Sequence, residues 1–356
     1  KRTHTFTFFI IFAGGWANPY IVDVYADYAK VIFRLFGDRV KIWITINEPF
    51  ALCEITYNTG VLAPGIMDPE LGSYLCNKNV LLAHAKAYRI YDTEFRSKYN
   101  GEVSIANHLM WFQPETPELA QLAELAIENC VGRYSHPIYS KEGGWPPSIE
   151  IIMRKNSMAR GYSRSTFPSF TQEEIELIRG TYDFYTFNHY TSRIVRKAKV
   201  GEPIGVWPFD GITDLNAILE GRKDWAVGVN PFFKVYPPGI RHLLLWLKER
   251  YGDMKFLIAE NGFSTTGGLN DPERINYYDS YLRQVLLAIR DGVNVTHYTT
   301  WTLMDNFEWM DGYTAKFGLY EVNFTDPLRT RTPRASALYY ANVIRSHSLN
   351  VAKLGA

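Results

Sequence analysis

The sequence predicts an α/β fold, a parallel sheet wrapped by helices, and three observations carry that prediction. Short β-branched apolar runs alternate with longer amphipathic stretches at helical spacing. No composition shift and no Pro/Gly/Ser-rich linker divides the 356 residues. Apolar residues make up 46% of the chain and charged residues 21%, enough for a buried core and too apolar for disorder. Length alone favours two or three domains, whereas the uninterrupted β-α order favours one.

The elements follow in chain order. Lys41–Ile46 (KIWITI) is a strand ending at Asn47-Glu48-Pro49. Asn79–Tyr99 sets apolar side chains on one helical face against a charged opposite face. Val103–Ala106 is a second strand, with a helix following near Pro117–Arg133. Thr171-Gln-Glu-Glu174 is a capping box opening a helix that Gly180 stops. Phe184–Phe187 is strand, Gly239–Tyr251 helix, Lys255–Ala259 strand, Asp271–Arg290 helix, Val293–Leu303 strand, and Pro333–Ser346 a closing helix. Lys197–Pro237, rich in Gly, Pro and Trp, is an elaborate loop. Short buried strands between amphipathic helices argue for parallel pairing.

Composition narrows the function. The 38 basic and 37 acidic side chains leave a net charge of +1, which argues against nucleic acid as the main partner. No run approaches the roughly 18 apolar residues that cross a bilayer. The start, Lys1–Trp16, has a basic end and an apolar stretch but no convincing small-residue cleavage site, and it runs straight into sequence that reads as folded, so a signal peptide is not expected there. Cys53, Cys76 and Cys130 stand outside any CxxC pattern, so neither a disulfide framework nor a zinc site is expected. HExxH, GxxxxGK[ST] and GxSxG are absent and the eight histidines are scattered, so no metal or cofactor is implied.

Polar residues gather at the strand ends: Asn47-Glu48, Asn188-His189-Tyr190, Glu260-Asn261 and Asp305-Asn306-Phe307-Glu308-Trp309. In a parallel barrel such ends open on the face where active sites are built. Glu48 and Glu260 each stand beside an Asn after an apolar run, and two facing carboxylates suit glycoside hydrolysis. Mutual repulsion lets one hold a proton near neutral pH while the other stays charged. A separation of about 5–5.5 Å gives retention and about 6.5–9.5 Å inversion.

At these residues the chain resembles glycoside hydrolase family 1, the β-glucosidase family, most of all its insect members. The matching text is TINEPF (45–50), GVLAPG (60–65), AHAKAYRIYDTEFR (83–96), DFYTFNHYTS (183–192), FLIAENGF (256–263) and WTLMDNFEWMDGYTAKFGLY (301–320). The resemblance implies a (β/α)8 TIM barrel and a retaining mechanism, with Glu48 as acid/base and Glu260 as nucleophile. It implies that Asn47 bonds the sugar 2-hydroxyl, that Asn188 and Tyr190 position the nucleophile, and that Trp301 stacks on the sugar ring. Glu308 would accept from two hydroxyls, with Trp309 beside it and Phe317 walling the pocket. His189 is read as packing or rim. A carboxylate at 308 would repel a phosphate, which favours an unphosphorylated glycone. The partner implied is a small-molecule β-glucoside or oligosaccharide, and the location a secreted, extracellular digestive one. Of two glycosylation sequons, Asn323-Phe-Thr is the more plausible, because Asn294-Val-Thr opens an expected buried strand.

The family barrel places its acid/base after the fourth of eight strands. A strand plus crossover takes about 30 residues, so the 47 residues before Glu48 are expected to leave an incomplete barrel lacking the first strands, with two exposed sheet edges. Residues 1–13 do not match the family text before Gly14-Gly15-Trp16, and His4 is out of register with the family histidine. The expectation is an N-terminally truncated chain, 1–356 forming roughly the C-terminal three quarters of a single catalytic domain. Two alternatives stay open: a catalytically inactive fragment or carbohydrate-binding relative, and a myrosinase acting on thioglucosides.

Overall fold

The computed structural model describes residues Gly14–Leu349, so residues 1–13 lie outside the described part. The chain divides into two compact units. One holds the described residues through Phe187 together with Ile194–Glu220; the other holds Asn188–Arg193 and the described residues from Gly221 onward.

In the first unit, α1 (Ile21–Phe36), which the strand-and-helix reading of the sequence left unassigned, buries Val22, Ala26, Ala29 and Phe33 along one face. Strand β1 (Ile42–Asn47) runs parallel to β2 (Glu102–Pro114), with Ile42 opposite Glu102 and Asn47 opposite Ala106. Between them lie α2 (Gly72–Ile90), a π-helical turn over Tyr91–Phe95 and a last helical turn to Tyr99. Phe33, Tyr88, Tyr91, Phe95, Tyr99 and Val103 form the core where α1 and α2 meet the sheet. Phe33 meets the rings of Trp43 and Tyr91 edge-on at 5.1 and 5.0 Å, the geometry that ring quadrupoles favour. His84 of α2 ties β1 to the chain ahead of the strand Tyr185–Lys197, its ring nitrogens lying 2.7 Å from Thr45 Oγ1 and 2.8 Å from the Thr181 carbonyl. Burial lowers its pKa to about 4, so it serves as a neutral strut.

Helices α3 (Ala120–Ile127), α4 (Arg133–Tyr139), α5 (Pro147–Ala159) and α6 (Gln172–Ile178) follow. The capping box read from Thr171-Gln-Glu-Glu174 is present at the start of α6: the Thr171 hydroxyl accepts from the Glu174 N–H, and the Glu174 carboxylate from the Thr171 N–H. Strand β3 (Tyr185–Lys197) begins and ends in this unit, next to β2 in the sheet. The segment expected to be only a loop supplies β4 (Gly211–Ile212) and β5 (Ala217–Glu220), which extend the sheet from β3 in antiparallel fashion. A left-handed Asn216 (φ +50°) closes their turn. The sheet is therefore mixed rather than wholly parallel.

The second unit holds the middle of β3, with β6 (Phe256–Asn261) beside it and β7 (Val295–Thr300) parallel to β6. Helices α7 (Pro238–Tyr251) and α8 (Pro272–Arg290) accompany these strands. The hairpin β8 (Tyr320–Val322) and β9 (Arg331–Pro333) precedes α9 (Ala335–Ser346). Among the described residues β1 pairs only with β2, and β7 only with β6. Ile42 and Ile44 are accordingly exposed.

Two further expectations need correction. Cys53 and Cys76 form a disulfide, their Cα atoms 5.4 Å apart. Spacing could not announce it, because packing of the turn after β1 against α2 is what joins them; Cys130 is a buried thiol. Asn294 is exposed rather than buried, since β7 itself leaves Thr296, His297 and Thr299 exposed; Asn323 is exposed as well. Among the described residues no helix is long and apolar enough to cross a membrane.

Candidate active site

Glu48 closes β1 in the first unit. Its N–H donates to the Ala106 carbonyl at 2.8 Å, continuing the ladder one residue past the strand. Its φ of +48° is left-handed, a conformation that costs a non-glycine residue on the order of 1–3 kcal/mol and gathers at functional sites. The carboxyl is one-fifth exposed, and His108 Nδ1 of β2 lies 3.1 Å from its Oε1. The buried His108 ring stacks on Phe50 at 5.4 Å and 19°. Phe50 in turn meets Trp207 and Tyr134 edge-on at 5.5 and 6.3 Å. Asn47, the last residue of β1, is exposed.

Beneath this turn Glu54 is a buried anion. It accepts from Arg133 at 3.0 Å, and from Asn77 at 2.9 Å, Tyr134 at 2.8 Å and Ser73 at 3.0 Å. Trp207 Nε1 donates to it at 2.8 Å. Burial pushes its pKa up, but the Arg133 charge and the bonds from Asn77, Tyr134 and Trp207 outweigh that and hold it below the usual range. The carboxylate therefore anchors the indole and the aromatic contacts that reach Phe50.

The second unit holds Glu260 near the end of β6, and the Tyr190 hydroxyl donates to its Oε2 at 2.7 Å. Tyr190 is buried between Phe233, stacked at 5.0 Å, and Phe317, edge-on at 6.3 Å. The next residue, Asn261, fixes the strand end: its Nδ2 donates to the His189 carbonyl at 2.6 Å and its Oδ1 accepts from Tyr298 at 2.6 Å. A Cβ on Gly262 would lie 1.9 Å from the Trp301 carbonyl oxygen, so only glycine lets the chain after β7 approach this closely. Trp301 Nε1 donates to Glu308 Oε1 at 3.0 Å. Burial raises the Glu308 pKa, against the opposing bonds from Trp301 and Asn306. Phe317 is buried, Trp309 is 68% exposed, and Asn188 is fully buried on β3. His189 is a packing residue, fully buried with its ring 5.8 Å from Tyr281.

Asp305, grouped by sequence with the strand-end motifs, is a structural anchor. The Arg334 guanidinium holds both its oxygens at 2.8 and 2.9 Å, and the Gly318 N–H donates to it at 3.0 Å. Arg274 donates to the carbonyls of Gly318 and Lys316, each at 2.7 Å, pinning the same stretch. These buried arginines hold the chain around Glu308 and Phe317.

A family model for glycosyl hydrolase family 1 matches residues 10–349. The chain belongs to this family. Myrosinase 1 of Brevicoryne brassicae is 40% identical over 336 residues, 93% of this chain and 70% of that protein. Lactase/phlorizin hydrolase of Rattus norvegicus is 39% identical, covering 93% of this chain but 17% of the larger protein. Among solved structures, a family 1 β-glucosidase from the fungus Humicola insolens in complex with glucose is similar at a TM-score of 0.82. It is 30% identical, and the match covers 95% of this chain and 72% of the fungal one. The fold is thus that of the (β/α)8 glycosidases, and the chain is a β-glucosidase-like glycoside hydrolase.

Of the residues singled out in this family 1 chain, Asn47 and Glu48 stand in the first unit. Asn188, Tyr190, Glu260, Trp301, Glu308, Trp309 and Phe317 stand in the second. Tyr190 with Glu260, and Trp301 with Glu308, are brought into hydrogen-bond contact. Sequence reasoning passed over His108, Phe50, Phe233 and Tyr298. One signal was available for His108: Asn107-His108 places two adjacent polar residues in the middle of a largely apolar run.

Proposed function

We propose that the chain is a retaining β-glycosidase acting on O-linked, unphosphorylated β-glucosides. The reading rests on the Glu260 carboxylate held at 2.7 Å by the buried Tyr190 hydroxyl, at the family position of the nucleophile. The described residues of both units lie within the span of the family model, which supports treating them as one catalytic domain. In the first step the Glu48 carboxylic acid gives its proton to the glycosidic oxygen. The Glu260 carboxylate attacks the anomeric carbon, forming a covalent glycosyl-enzyme as the aglycone leaves as an alcohol or phenol. In the second step Glu48 takes a proton from water, whose oxygen displaces Glu260 and releases the sugar with its original configuration.

The remaining residues take binding roles. Asn47 bonds the 2-hydroxyl, Trp301 stacks on the ring, and Glu308 accepts two hydroxyls beside Trp309. Phe317 walls the site, while Asn188 with Tyr190 steadies the nucleophile. The Cys53–Cys76 disulfide supports an oxidising, extracellular setting. An aryl β-glucoside assay tests the reading. Glu260→Ala is expected to lower turnover by on the order of 10⁴-fold or more, and azide should restore turnover of activated substrates by Glu48→Ala. A folded chain with no turnover refutes it and favours the inactive, carbohydrate-binding alternative.

A second reading, thioglucoside hydrolysis, is favoured by the 40% identity to an aphid myrosinase and by the presence of both carboxylates. O- and S-glucosides of one glycone, compared by kcat/KM, separate the two.

A further inference from the structure

We propose that His108 is a positioning residue for the acid/base, holding the Glu48 carboxyl through one oxygen so that the other delivers the proton. The inference deepens the two-carboxylate reading and rests on it. Three observations carry it. The His108 Nδ1 to Glu48 Oε1 distance is 3.1 Å, a direct hydrogen bond. The imidazole is 6% exposed and cannot swing away, because it lies flat on Phe50 at 5.4 Å, two residues beyond Glu48 itself. Phe50 is held edge-on by Trp207, whose indole is tied to the buried Glu54 carboxylate. The ring that touches the carboxyl is thus braced from behind by a charged network that plays no part in the chemistry.

The chemistry follows from donors and acceptors. With a proton on Nδ1 the imidazole donates to Oε1, and Oε2 carries the acidic proton. When that proton moves to the glycosidic oxygen, Glu48 becomes a carboxylate and the same His108 bond becomes charge-assisted, roughly twice as strong as a neutral one. An interaction that strengthens as the proton leaves accelerates the step rather than merely binding substrate. The proton count closes within the cycle: Oε2–H is lost to the aglycone and regained from water, while His108 keeps its proton.

Leaving groups provide the test, because acid assistance matters for a poor leaving group and little for a good one. The full chain is assayed by kcat/KM, which reports the first step, on phenyl and dinitrophenyl β-glucosides. His108→Phe keeps a flat ring on Phe50 and removes the donor. It is expected to lower kcat/KM on the phenyl glucoside by about 10- to 100-fold, a part of the roughly 10²- to 10⁴-fold that a positioned general acid contributes, and to leave the dinitrophenyl value within about threefold. His108→Asn puts an amide N–H where Nδ1 stood and is expected to recover most of the loss. Equal losses on both substrates, or a phenyl value unchanged in His108→Phe, would overturn the assignment while Glu48→Ala and Glu260→Ala still report on the two-carboxylate reading. A Phe variant that does not fold passes the decision to His108→Leu and His108→Asn. If Leu spares the phenyl reaction, or Asn impairs both substrates alike, the assignment also falls. A folded wild-type chain without turnover removes the reading and this inference together.

Discussion

Replacing Arg133 with methionine keeps most of the side-chain volume and removes the cation 3.0 Å from Glu54. Glu54 is 1% exposed, and its bonds from Asn77, Tyr134, Ser73 and Trp207 remain. Dipoles alone do not neutralise a charge at that depth. Breaking a buried pair by removing one partner costs about 3–5 kcal/mol, chiefly for the charge left behind. At about 2 °C per kcal/mol for a chain of this size, the melting temperature should fall on the order of 5–10 °C at pH 7. The loss should also depend on pH. In the native protein Glu54 lies below its usual range, so its contribution is present above the unfolded pKa of about 4.3 and is lost as pH falls through the folded value. In Arg133→Met the largest opposing influence is gone, the remaining hydrogen bonds stand alone against burial, and the folded pKa is expected to rise above the unfolded one. The variant then loses stability as pH climbs from about 4, by at most about 1.4 kcal/mol per pH unit. Melts followed by circular dichroism at several pH values between 4 and 7 measure both effects. Adding Glu54→Gln should recover part of the loss at pH 7, because it removes the stranded charge. A deficit that is flat with pH and untouched by Glu54→Gln would refute the reasoning and assign the effect to packing.

Other outcomes follow from the same geometry. Tyr190→Phe removes the hydroxyl donating to Glu260 at 2.7 Å; a bond to a charged group is worth about 1.5–3 kcal/mol, so kcat/KM should drop about 10- to 150-fold. Burial already raises the Glu308 pKa, and in the proposed role the ionised form is the better acceptor of two sugar hydroxyls. KM for a glucoside should therefore rise as pH falls through that raised value, and Glu308→Gln should show a higher KM without that pH dependence. Reducing the Cys53–Cys76 disulfide, or replacing both cysteines with alanine, releases a constraint across 23 residues. It should lower stability by about 3 kcal/mol, read as a lower melting temperature.

Much of the fold was legible where the signal is local. The capping box at Thr171, the helices ending at Tyr251 and Arg290, and the presence of β1 and β6 all follow from spacing over a few residues, although β6 runs two residues past Ala259 to take in Glu260 and Asn261. The pair β4 and β5 was not legible, since two- and four-residue strands carry no periodicity and exist by pairing with each other and with β3. β2 and β3 run to Pro114 and Lys197, well past the short apolar runs that marked their starts. Sheet neighbours hold those later residues extended where propensity alone does not.

The candidate site divides along the same line. The sequence by itself determined which carboxylates stand at strand ends and which motifs surround them. Strand termination is read from neighbours in the chain, and six motifs in order identify the family. Only the tertiary structure decided what each carboxyl touches. His108 lies 60 residues from Glu48, Tyr190 lies 70 from Glu260, and Arg133 reaches Glu54 across the packed helices of its unit. It also decided that Asp305 is a strut for Arg334 and that Cys53 meets Cys76. Protonation and hydrogen bonding depend on groups within a few ångströms, and folding draws those groups from positions whose separation in sequence carries no record of their distance in space.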